Sequence, residues 1–175
     1  VDHTSFQEDP LRVYRAVQFI ARLEFTLEPT SLKLMQEMVQ RGDLDQLSKE
    51  RVTEEMKKLF LKAEKPSAGF TLMHELGIIE RDYPDLSCLI NTPQEHEWHP
   101  EGDVWIHTLM TIDQAAKVIR RDAFSEEEQL QIMVGALCHD LGKPSTTKEM
   151  EKDGFVRIRS LGHQEAGDEP TVSLM

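Results

Sequence analysis

Residues 125–144 read SEEEQLQIMVGALCHDLGKP, and both ends of that stretch are punctuated. Ser125 with Glu128 three residues on is a capping box, in which each side chain satisfies the other's backbone N–H at a helix start. Gly142 and Pro144 stop the helix, because glycine accepts the terminal conformation and proline cannot continue it. The spacing predicts a helix from Ser125 to Leu141 that carries His139 and Asp140 at its end. An imidazole and a carboxylate are donors for a divalent cation. Adjacent helical residues point about 100° apart, so both reach one ion only where the backbone relaxes. The negative end of the helix dipole favours an ion in the same place.

Other histidines extend this set. His107 lies in GDVWIHTL and His163 in LGHQEAG, and five of the seven histidines fall between His96 and His163. One histidine on an apolar helix face is more often a hydrogen-bonded core residue, so the reading rests on the set. His107, His139, Asp140 and His163 are the candidate ligands, with His139 and Asp140 as the catalytic pair. Three segments that converge on a cation suit hydrolysis of a phosphate ester. His99 in the loop EHEWHPEGD, Lys143 and Arg157 are candidates to contact the phosphate or substrate. The metal's identity stays open, because such a site accepts Mg²⁺, Mn²⁺, Ni²⁺, Co²⁺ or Zn²⁺.

Away from this stretch the chain reads as helical almost throughout. Leu11, Tyr14, Val17, Ile20 and Leu23 follow a 3.6-residue period from Pro10, with Asp9 as the cap acceptor. Further helices are expected over residues 29–40, 49–63, 66–76 and 103–119, with a last one starting near Gly162. Asp153-Gly154 between alternating residues marks a short hairpin within 146–159. The fold class is therefore all-α with one hairpin. Pro, Asn and Thr gather over residues 82–101, which places a boundary between a helical region, 1–85, and a second domain, 86–175. The missing initial Met and abrupt end suggest a fragment.

The net charge of −12 argues against nonspecific nucleic-acid binding, which needs Lys and Arg to neutralise phosphates. Residues 1–90 hold 12 basic and 16 acidic side chains, and residues 91–175 hold 8 and 16. The half with the histidines is thus the more acidic, which suits a cation. Lys57, Lys58, Lys62 and Lys65 alternate with Glu54, Glu55 and Glu64, the pattern of a solvated face. No apolar run reaches the roughly 20 residues a membrane helix needs. With two cysteines and no leader, the chain reads as cytoplasmic, with Cys138 a small core residue.

The pattern His107, His139-Asp140 resembles the HD-domain metal-dependent phosphohydrolases over roughly residues 96–175. The resemblance implies a divalent metal and a phosphate-ester substrate. That family's late Asp has no clear match here, Asp168 being too close to the pair, so the domain is expected to be truncated at its C-terminal end.

The string SFQEDPLRVYRAVQFIARLEFTLEP resembles the neck of the class II tRNA nucleotidyltransferase and poly(A) polymerase family, with its E-D-x-x-R motif at Glu8, Asp9 and Arg12, followed by Arg15. VTEEMKKLFLKAEKPSAGFTLMHELGIIE is similar to the helices that follow, and bacterial members often append an HD domain. The resemblance implies a part in tRNA 3′-end processing, with tRNA and ATP or CTP as partners. Asp9 and Arg12 would read the edge of the incoming base, as one carboxylate and one guanidinium can. The residues alone favour Asp9 as a helix cap and Arg12 as a solvated side chain, and the resemblance reverses that preference. The family's catalytic head precedes this motif, and Asp43-Leu44-Asp45, which follows it without a Gly-Ser turn, does not replace it. No nucleotidyl transfer is expected of this chain. The alternative to a hydrolase is a helical module that selects nucleotide or positions tRNA.

Overall fold

A computed structural model describes residues 8–152 and 154–174, and the chain is built mainly of helices. They are α1 (Leu11–Leu23), α2 (Pro29–Arg41), a 3₁₀ turn (Asp43–Gln46), α3 (Lys49–Lys62), α4 (Pro66–Glu75), α5 (Ile78–Asp82) and α6 (Pro84–Ser87). After a loop follow α7 (Val104–Arg121), α8 (Glu126–Cys138), α9 (Lys143–Thr146), the hairpin β1 (Thr147–Lys152) and β2 (Phe155–Ser160), α10 (His163–Ala166) and α11 (Asp168–Leu174). Among the described residues no helix is long and apolar enough to cross a membrane.

Part of the expected punctuation operates. Proline occupies the first turn of α2 and α4, where its missing N–H is not needed. The Ser125–Glu128 capping box is formed in both directions. The antiparallel hairpin pairs Thr147 with Ser160 and Lys152 with Phe155. Gly154 has φ 79°, as a tight turn asks, while Asp153 lies outside the described residues.

Three expectations need correction. The helix expected to run to Leu141 ends at Cys138, with His139 as its C-cap, so the pair stands just past the helix. Asp9, expected as the cap residue with Pro10 at the first helical position, stands one place before the N-cap of α1, which is Pro10. The last helix is broken at Gly167 into α10 and α11.

One apolar core runs through both halves. It joins Val13 and Val17 of α1, Leu59 and Phe60 of α3 and Phe70 and Met73 of α4 to Ile112 and Ala116 of α7 and Met133 and Leu137 of α8. Phe60 and Phe70 meet with ring centroids 5.8 Å apart, and burying a side chain of that size contributes roughly 1.5–3 kcal/mol. A polar clamp crosses the expected boundary: Ser67 donates through N and Oγ to the two oxygens of Asp113, at 2.9 and 2.7 Å. Asn91 N donates to Asp103 Oδ2 (2.8 Å) while Asp103 Oδ1 accepts from Ile106 N (2.9 Å). That double use of one carboxylate ties the 89–103 loop to the first turn of α7, where His107 sits.

Candidate metal centre

Asp140 is the hub of the site. It is 2% exposed, and its Oδ2 lies 3.1 Å from His139 Nε2 and 3.8 Å from His107 Nε2. Its Oδ1 lies 3.6 Å from His163 Nε2. Two donors each ~2.1 Å from one ion stand ~3.0–3.5 Å apart at octahedral or tetrahedral angles. The observed separations are near that range. Donor atoms of His107, His139 and Asp140 all lie within 4.8 Å of one another, and His163 approaches the other carboxylate oxygen.

The far side of each ring is equally defined. Nδ1 of His139 lies 2.8 Å from Ala136 O, Nδ1 of His163 2.8 Å from Ser160 O, and Nδ1 of His107 2.7 Å from Glu101 Oε1. None of these partners has a proton to give, so each Nδ1 is the N–H donor. In the neutral ring the Nε2 lone pair then faces Asp140, the tautomer a metal requires. Without a cation, only a second proton on each ring would let Nε2 face that carboxylate. Asp140 Oδ2 is buried and makes no hydrogen bond of proper angle among the described residues, although Lys143 Nζ is only 2.8 Å away. A divalent ion fits this orphaned oxygen.

The electrostatics agree. Burial alone would raise the Asp140 carboxyl, but His139 and Lys143 outweigh it and hold it at about 2. Burial would likewise lower the His139 imidazole, and the adjacent Asp140 carboxylate more than offsets this and raises it. Burial pushes the neighbouring Cys138 thiol up to about 11, as befits a core residue.

Local sequence explains why these groups meet. The pair follows α8, His107 sits in the first turn of α7, and Gly162 at φ 77° turns the chain into α10, which His163 begins. Gly142 lets α10 approach: a Cβ there would lie 2.0 Å from His163 O and 2.6 Å from Gly167 N.

Glu101 was missed in the sequence. Its Oε1 serves His99 Nδ1 at 3.0 Å as well as His107 Nδ1, and the two rings stand 4.7 Å apart. Its own backbone N–H, opposed by burial and then aided by the two imidazoles, holds it at about 2.

The candidate phosphate contacts fall in two places. His99 and Lys143 line a cavity of about 260 Å³ together with His163. Arg157 lines the adjoining cavity and is paired with Glu97. Asp168 is exposed and stands outside the cluster. An apolar cavity of about 250 Å³ between α3, α4 and α8 holds none of the candidate residues.

At the other end of the molecule, Asp9 accepts from Leu11 N (3.3 Å) and from Arg51 Nη2 (3.1 Å). Asp9 and Arg15 line a groove of about 430 Å³, which also presents Arg22, Arg51, Lys58 and Lys62. Arg12 is partly buried outside that lining, its Nε without a hydrogen-bond partner among the described residues, and Glu8 is exposed. The lysines read as one solvated face divide. Lys58 and Lys62 face the groove, whereas Lys57 bonds Glu54 at 3.2 Å and lines the apolar cavity. The basic face that net charge disfavoured exists locally, because Arg15 and Arg22 are seven residues apart and Arg51, Lys58 and Lys62 recur at 7 and 4. Asp43 pairs with Arg41 (2.7 Å) within the 3₁₀ turn and holds no catalytic arrangement.

Comparison with known proteins gives two matches. Residues 24–89 match the family described as "Probable RNA and SrmB- binding site of polymerase A", and residues 104–171 match the HD domain. The chain is 40% identical over 167 residues to the Multifunctional CCA protein of Verminephrobacter eiseniae, covering 95% of this chain and 37% of that protein. The Multifunctional CCA proteins of Mannheimia succiniciproducens (34% over 173 residues) and Laribacter hongkongensis (36% over 170) match 97% of the chain, which spans 39% and 38% of them. No solved structure matches. With a polymerase A RNA-binding match and then an HD domain, the chain resembles a region of the Multifunctional CCA proteins and spans under two fifths of their length.

Proposed function

We propose that His107, His139, Asp140 and His163 form a metal-dependent phosphohydrolase centre, acting on a phosphomonoester or 2′,3′-cyclic phosphate in a protein of tRNA 3′-end processing. One observation carries the reading: three imidazoles, each fixed through Nδ1, turn Nε2 toward a single buried carboxylate. A divalent cation held there would supply Lewis acidity toward the phosphoryl group and activate water. The chain's own residues orient and charge the site. Lys143, between Asp140 and Gln94 Oε1 (2.6 Å), brings a cation into the cavity that it shares with His99. That is the place for non-bridging phosphate oxygens. Water adds to phosphorus as the ester P–O bond breaks, and the leaving oxygen takes up a proton.

The test is hydrolysis of a 2′,3′-cyclic nucleotide by the chelator-treated chain with Mg²⁺, Mn²⁺, Co²⁺ or Ni²⁺ restored. Turnover is expected only with metal. A folded, metal-loaded chain that turns over neither this substrate nor a phosphomonoester contradicts the reading.

The groove at Asp9 favours a second, compatible role in selecting ATP or CTP and positioning tRNA, with Glu8, Asp9, Arg12 and Arg15 as the nucleotide-binding set. Five Arg and Lys side chains against Asp9 and Glu55 suit a phosphate backbone. Arg15→Ala is expected to weaken binding of a tRNA acceptor-stem RNA and to lower the salt slope of log K by about 1. An unchanged slope would remove Arg15 from that surface.

A further inference from the structure

The two tryptophans have opposite surroundings. Trp105 is 6% exposed in the core, while Trp98 is 72% exposed one residue from His99. A single exposed apolar side chain is ordinary, but this one lines both cavities beside the metal centre. The first leads from Trp98 to His99, Lys143 and His163. The second, about 380 Å³, leads from Trp98 along Arg157 and Arg159 to Leu161. Glu95, Ile158 and Ser160 border both. Together they fall within the roughly 300–1,000 Å³ of small-molecule sites.

The loop bearing Trp98 is anchored on both sides although its ring is uncovered. Glu95 Oε2 accepts from Ile158 N of β2 at 3.0 Å, Glu97 pairs with Arg157, and Gln94 accepts from Lys143. Trp98 N and His99 N both bond Glu95 O, at 3.1 and 2.9 Å. A flat ring carried by an anchored loop at the mouth of a phosphate site is a stacking surface for a base, which needs no particular sequence.

Resting on the hydrolase reading above, we propose that Trp98 is the platform on which the base of a nucleoside phosphate stacks while its phosphoryl group lies at His107, His139, Asp140 and His163. Glu95, Arg157 and Arg159 then lie beside the base.

Two measurements on the metal-loaded chain test this. In steady-state kinetics, Trp98→Ala should raise KM for adenosine 2′,3′-cyclic phosphate by about tenfold or more relative to glycerol 1,2-cyclic phosphate, which has no base. Trp98→Phe, which keeps a ring, should restore most of the difference. In binding, adenosine 2′-monophosphate should quench tryptophan emission in the unsubstituted chain and leave that of Trp98→Phe, where only Trp105 emits, unchanged. An equal change in KM for both substrates, or binding without quenching, overturns the stacking role. If neither substrate is hydrolysed, the hydrolase reading fails separately, and quenching by the monophosphate still decides whether Trp98 holds the base.

Discussion

Asp140→Asn is expected to leave a folded chain that no longer retains a divalent cation. The amide has the volume of the carboxylate but no charge, so packing persists while the group shared by His107, His139, His163 and Lys143 is neutralised. Loss of a partner that merely orients a ligand weakens metal binding about 10–100-fold, so loss of the central ligand should exceed about 100-fold. Hydrolysis should fall with it. Metal content after gel filtration, with circular dichroism to confirm folding, gives the answer. Retained stoichiometric metal would remove Asp140 from the ligand set.

Gly142→Ala should do comparable damage without touching a donor atom. Its Cβ would sit 2.0 Å from His163 O, and a backbone oxygen cannot rotate away as a side-chain tip can. Either α10 moves, carrying His163 off Asp140, or the loop after Asp140 does. Overpacking of this kind costs about 1–3 kcal/mol, and a chain of this size loses roughly 2–4 °C in Tm per kcal/mol. A fall of about 2–12 °C together with weakened metal binding is therefore expected. Gly135→Ala is the matched control, being in the interior of α8 with nothing within 4 Å of the added carbon. It should be neutral or stabilise by up to ~1 kcal/mol. If Gly142→Ala behaves like Gly135→Ala, the close approach of α10 does not hold the site together.

These two positions show what could be read before the fold was seen. Gly142 was legible as a stop signal, since a glycine followed by Lys-Pro ends a helix whatever surrounds it. Its second role, admitting the backbone of residues 163–167, depends on a contact between segments some 20 residues apart that no local pattern encodes. The long helices were legible for the same local reason: periodicity and caps are properties of short windows. The breaks that tertiary packing imposes, at Cys138 and at Gly167, were not. In the centre, His107, His139, Asp140 and His163 could be named from residue type and context. Glu101 could not, because an acidic residue in an acidic segment carries no mark until the loop returns it to His107. The basic groove was hidden differently. A net charge sums over the chain, whereas Arg15, Arg22, Arg51, Lys58 and Lys62 meet only when α1 and α3 pack face to face.

The surroundings of the metal itself give the most direct test of the centre. Cobalt(II) would be loaded into the chelator-treated chain, and its X-ray absorption fine structure recorded beside that of His163→Ala. One cobalt per chain is expected, bound by three imidazoles and a carboxylate oxygen, with one imidazole lost in the variant. A spectrum of oxygen ligands alone, or an imidazole count unchanged by His163→Ala, would contradict the four-residue centre.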